Sequence, residues 1–188
     1  MNCSKIDYGT VKLPSSLIEL ALVKYQDAMP VGFIPNSVKK LTIKSSHDPR
    51  TIEILPLSIP SSVEILSLPL YNGPTTSEYL PDSIKELVWN RETDTQTLPS
   101  KLETLLDQVI NQTNIEKLSI SRYGKRWLKA TIKRLDKDNS RVLIVDNKSL
   151  IGGIISQSRD PSNNNSNEYT PIYLHIRKEN NYLPYWSH

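Results

Sequence analysis

Ten residues recur along the first half of this chain with their internal spacing unchanged. LPSSLIELAL at 13–22 returns as IPNSVKKLTI at 34–43, IPSSVEILSL at 59–68 and LPDSIKELVW at 80–89. A shorter fifth copy, LPSKLETL, occupies 98–105, and IEKLSI at 115–120 keeps only the last part, without the proline. Pro14, Pro35, Pro60, Pro81 and Pro99 stand 21, 25, 21 and 18 residues apart, so length varies between the phrases and not within them. A unit of about twenty residues is too short to enclose a core of its own, and such units are stable only when stacked on their neighbours.

Within one unit the proline fixes φ near −65° and holds the residue before it extended. The serine two residues on (Ser16, Ser37, Ser62, Ser83) is of the type that bonds nearby backbone and helps to turn the chain. The phrase then alternates apolar and polar, as a short strand does. That alternation puts Leu20/Leu22, Leu41/Ile43, Leu66/Leu68, Leu87/Trp89 and Leu118/Ile120 on an inward face. Leu17, Val38, Val63, Ile84, Leu102 and Ile115 form a second inward column. The fifth copy ends on Leu105 and Asp107, which leaves its register open. The intervening segments carry Pro30 and Gly32, Pro49 and Pro56, or Gly73 and Pro74, and are expected to be irregular rather than helical. The predicted fold class is mainly β, a short solenoid of about six parallel rungs with little regular helix.

The phrase Leu-Pro-x-Ser-Leu-x-x-Leu-x-Leu resembles the FNIP repeat, a relative of the leucine-rich repeat, over about residues 11–120. The aromatic-Asn pair that follows it in that family has its counterpart in Tyr71-Asn72, and more weakly in Tyr25-Gln26. The resemblance implies a leucine-rich-repeat-like solenoid. Many family members carry an F-box ahead of the repeats; the residues before Leu13 are too few for one, so an adaptor role in ubiquitin ligation is only a distant implication.

Charge divides the chain of 188 residues. Residues 1–120 carry eleven Lys/Arg against fourteen Asp/Glu, and residues 121–188 carry twelve against six, a net of −3 followed by +6. Six basic residues and no acid lie within 122–135. As a strand, this segment turns Leu128, Ala130 and Ile132 inward and Lys129, Thr131 and Lys133 outward; as a helix, it would gather Arg122, Arg126, Lys129 and Lys133 on one face. The strand is the better reading. A turn at 136–140, the β-branched run at 142–145, a turn at 146–149 and a third strand over 150–156 complete a hairpin unit able to cover the last rung. The expected divisions are the solenoid at 1–121, a basic β-hairpin cap at 122–156, an Asn/Ser-rich disordered linker at 157–171, and a docking strand with an aromatic tail at 172–188.

Residue types that carry chemistry are sparse. Cys3 is the single cysteine, so no internal disulfide or Cys-x-x-Cys zinc site can form. His47, His175 and His188 have no spacing that suits metal ligation. Gly152-Gly153 is an isolated pair, expected as a strand bulge and not as a phosphate loop. No signal peptide or membrane span is legible, so the expected setting is intracellular, cytoplasmic and reducing. The chain is read as a non-enzyme without cofactor or metal. Its function is read as a protein-interaction module whose outward strand positions form the binding face: Glu19, Lys40, Thr42, Ile65, Ser67, Glu86, Val88, Lys117 and Ser119. The alternative is nucleic-acid or anionic-surface binding through Arg122, Lys125, Arg126, Lys129 and Lys133. Partner identity and oligomeric state stay open.

Overall fold

Every intact proline phrase begins with the same turn. The proline carbonyl accepts from the amide three residues on: Leu17 to Pro14, Val38 to Pro35 and Val63 to Pro60 at 3.1 Å, and Ile84 to Pro81 at 3.0 Å. The chain leaves each turn as a strand. The computed structural model describes residues 11–25, 28–45, 54–69, 76–91, 109–110, 113–122, 125–136, 140–156, 173–179 and 181–187.

The strands are β1 (Glu19–Tyr25), β2 (Lys40–Ser45), β3 (Ile65–Pro69), β4 (Glu86–Arg91), β5 (Lys117–Arg122), β6 (Lys125–Arg134), β7 (Arg141–Asp146), β8 (Gly152–Ser156), β9 (Tyr173–Glu179) and β10 (Asn181–Ser187). Strands β1 to β8 form one open sheet in chain order. The pairings from β1 to β5 are parallel; those from β5 to β8 are antiparallel. The sheet therefore runs on past residue 121 without a break. No helix among the described residues is long and apolar enough to cross a membrane.

Register follows the repeat. Leu20, Leu41, Leu66, Leu87 and Leu118 are successive partners, and Glu19, Lys40, Ile65, Glu86 and Lys117 lie beside them. Among the described residues there are five parallel strands, where about six rungs were expected. The copy at 98–105 lies outside the described residues, and Glu86 of β4 pairs directly with Lys117 of β5.

The inward residues make the core. Leu41, Ile43, Leu66, Leu68, Leu87, Trp89, Leu118 and Ile120 are fully buried, as are Val38, Val63 and Ile115 of the second column. Leu20 is half-buried, because β1 has a described neighbour on one side only. Ile34, Ile59 and Leu80, which open their phrases, and Met29 and Ile54 from the connecting segments are buried in the same core cluster.

The phrase serines act differently from expectation. Instead of bonding their own turn, they reach the preceding unit: Ser37 Oγ donates to the Leu17 carbonyl at 2.7 Å, Ser62 to Val38 at 2.8 Å and Ser83 to Val63 at 2.7 Å. Parallel stacking brings the carbonyl of one turn over the hydroxyl of the next, so the serine becomes a rung-to-rung tie.

The basic segment is a strand, with Leu128, Ala130 and Ile132 buried. Asp136 accepts from the Ser140 amide and hydroxyl at one turn, and Asp146 from those of Ser149 at the next. Gly152 and Gly153 pair with Val145 and Ile144 in unbroken register, so the expected bulge is absent. The reason for the first glycine is proximity: a Cβ there would lie 2.2 Å from the Ile144 carbonyl oxygen. The segment 173–187 does not add one strand to the sheet. It pairs with itself, β9 against β10, as a separate two-stranded antiparallel unit. The expected linker at 157–171 lies outside the described residues.

Candidate functional site

The outer face of the parallel sheet carries three parallel columns of side chains. One is Glu19, Lys40, Ile65, Glu86 and Lys117. Beside it, at the turn-to-strand corner, run Ile18, Lys39, Glu64, Lys85 and Glu116, tied in sequence by amide-to-carbonyl bonds of 2.8–2.9 Å. The third is Ala21, Thr42, Ser67, Val88 and Ser119.

The first two columns carry both signs of charge, and one neighbouring pair in each is an ion pair. Lys40 Nζ lies 3.0 Å from Glu19, with side chains 46% and 65% exposed, and Lys39 Nζ lies 2.8 Å from Glu64. The hydrogen bond from Lys39 and its charge hold the Glu64 carboxyl below its ordinary pKa. Pairs this exposed contribute little stability; what they do is cancel charge on one margin of the face. The corner column went unremarked in the sequence. Its signal was available there, since Lys39, Glu64, Lys85 and Glu116 each immediately precede the first strand residue.

The third column is small and uncharged. Thr42, Ser67 and Val88 are half-buried and Ala21 is exposed. Ser119 must be withdrawn from the predicted binding face, because it is buried at 6% exposure. Its short side chain sits between Val88 on β4 and Lys129 on β6, its register partners, on a strand flanked from both sides. Ile65 and Glu86 are half-buried; Glu19, Lys40 and Lys117 are exposed.

The five basic residues proposed for anions are not one cluster. Arg122 pairs with Lys125 at the tip of the β5–β6 hairpin, and Arg126 pairs with Ser121 next to it. Lys133 lies eight residues along β6 from Lys125, about 26 Å at 3.3 Å per residue. Antiparallel pairing instead brings Lys129 and Lys133 to either side of Thr131, whose partner on β5 is Lys117. A residue of one candidate set thus joins two of the other.

An open recess of about 490 Å³ lies there, lined by Asn114, Glu116, Lys117, Thr131, Ile132, Lys133 and Arg134. Arg134 builds its wall. Its guanidinium donates to the carbonyls of Ile115 at 3.0 Å, Ile110 at 2.8 Å, and Thr113. Burial lowers the Arg134 pKa from its ordinary value, and the Glu116 carboxylate acts in the opposite sense. Among the described residues no group of three His, Cys, Asp or Glu side chains could hold a metal ion.

Against models of protein families, curated proteins and solved structures, the chain has no match.

Proposed function

We propose that this protein is a non-catalytic protein-interaction module, a short FNIP-type solenoid that presents the outer face of β1–β5 to a protein partner, with β6–β8 as its cap. The observation that carries this reading is the straight register of equivalent positions from successive repeats, Thr42 beside Ser67 beside Val88 in an uncharged column next to a charge-balanced margin. Strands about 4.8 Å apart spread the four remaining positions, Ala21 to Val88, over about 14 Å. A flat strip of this length, with few flexible side chains to immobilise, suits an extended polar protein surface.

A photo-crosslinking residue placed at Thr42 or at Val88 tests it in the native cell. One discrete protein adduct is expected from both positions, and Thr42→Arg combined with the probe at Val88 should abolish it. No adduct from either position, or an adduct indifferent to Thr42→Arg, overturns the reading.

A further inference from the structure

The recess between β5 and β6 departs from the electrostatics of the rest of the face. Along β1 to β4 the strand lysine and one corner lysine meet carboxylates, Lys40 with Glu19 and Lys39 with Glu64. At the reversal from parallel to antiparallel pairing that matching of charge ends. The neighbour of Lys117 on β6 is Thr131, flanked on the same face by Lys129 and Lys133. Residues diagonal to one another across an antiparallel pair lie about 7–8 Å apart, within reach of long side chains. None of these three lysines forms an ion pair among the described residues.

The one carboxylate lining the recess, Glu116, acts on Arg134. Arg134 in turn is engaged by three backbone carbonyls, none of which cancels its charge. The recess therefore holds Lys117, Lys133 and Arg134 against Glu116, with the Asn114 amide as a neutral donor on its wall. The Thr131 hydroxyl is already donated to the Asn147 Oδ1 at 2.8 Å, so Thr131 lines the recess without offering a donor.

We propose that this recess binds a compact oxyanion of the phosphate type, gripped by Lys117 and Lys133, with Asn114 donating and Arg134 supplying fixed positive charge. The recess draws its walls from residues 114–117 and 131–134 alone and is separated along β6 from the Arg122–Arg126 end, so its charge is local and does not continue as a track along the strand. The anion could come free, as a polyphosphate, or as a phosphomonoester on a larger molecule. Lys117 is the residue that the recess shares with the proposed protein-binding face.

Pyrophosphate and O-phosphoserine, each titrated into the full chain at low salt and followed by amide NMR, provide the test and separate the two sources. Saturable shifts centred on Asn114, Lys117, Thr131 and Lys133 are expected from at least one of them. Lys117→Gln and Lys133→Gln should each weaken binding about tenfold, the scale of a lost charge-assisted bond. Lys39→Gln, away from the recess, should leave it unchanged, and thermal unfolding of all three variants should match the parent. The proposal fails if neither probe saturates by about 20 mM, well above a millimolar Kd. It fails equally if the lysine substitutions have no effect, or if only a single-stranded oligonucleotide binds and Arg122→Gln with Arg126→Gln removes that binding.

Discussion

Gly152 and Gly153 look interchangeable in the chain, yet the sheet treats them differently. A Cβ on Gly152 would meet the Ile144 carbonyl at 2.2 Å and the Val145 Cα at 2.8 Å, both backbone atoms that cannot swing aside; a Cβ on Gly153 meets nothing within 4 Å. Gly152→Ala should cost about 1–3 kcal/mol, whereas Gly153→Ala should stay within about 0.5 kcal/mol; urea denaturation of the two variants checks both. Glu64 offers a test of charge. Its carboxyl is held low by Lys39, so whatever it contributes is present above the unfolded carboxylate pKa and disappears as pH falls through the lower folded value. Lys39→Met should move the Glu64 pKa upward, read by carboxyl NMR titration, and any loss of stability should appear above the unfolded carboxylate pKa and vanish in acid, where the parent has already lost the contribution. The same logic applies to Asp136, lowered chiefly by the Ser140 hydroxyl.

Among elements, the serine ties decide how firmly one unit grips the next. Ser62→Ala leaves the Val38 carbonyl without its side-chain donor and should cost about 1 kcal/mol. Ser16→Ala, at an exposed turn that no described strand precedes, should cost far less; thermal unfolding of the pair measures the difference. This contrast also marks what the chain reveals on inspection. Apolar alternation located the inward pairs and the strand character of 127–134, since a face buried against a core must repeat every second residue. The serine's acceptor lies twenty or more positions away and is backbone, which leaves no trace in composition. Arg134 hid for the same reason: it reads as the end of a basic run, but three carbonyls claim it. The outward columns were legible residue by residue until Ser119, whose burial depends on what its two flanking strands carry. The meeting of Lys117 with Lys133 depends on strand direction, which alternation alone does not encode.

For the molecule as a whole, stability should be graded along the sheet. A central rung has neighbours on both sides and a terminal one does not. Leu66→Ala, at a fully buried site on β3, should cost about 2–5 kcal/mol and raise amide hydrogen exchange across β1–β5. Leu20→Ala, half-buried on β1, should cost less and quicken exchange mainly within β1 and β2. Uniform acceleration from both substitutions would mean that the sheet opens all at once. The change of strand direction at the β5–β6 hairpin has a genealogical consequence. Duplicating the proline phrase can lengthen the array anywhere up to β5, because each newcomer offers the hydrogen-bonding pattern that it also requires. Beyond the hairpin that reciprocity is lost, so a duplicated phrase could be accommodated on one side only of the point where strand direction reverses.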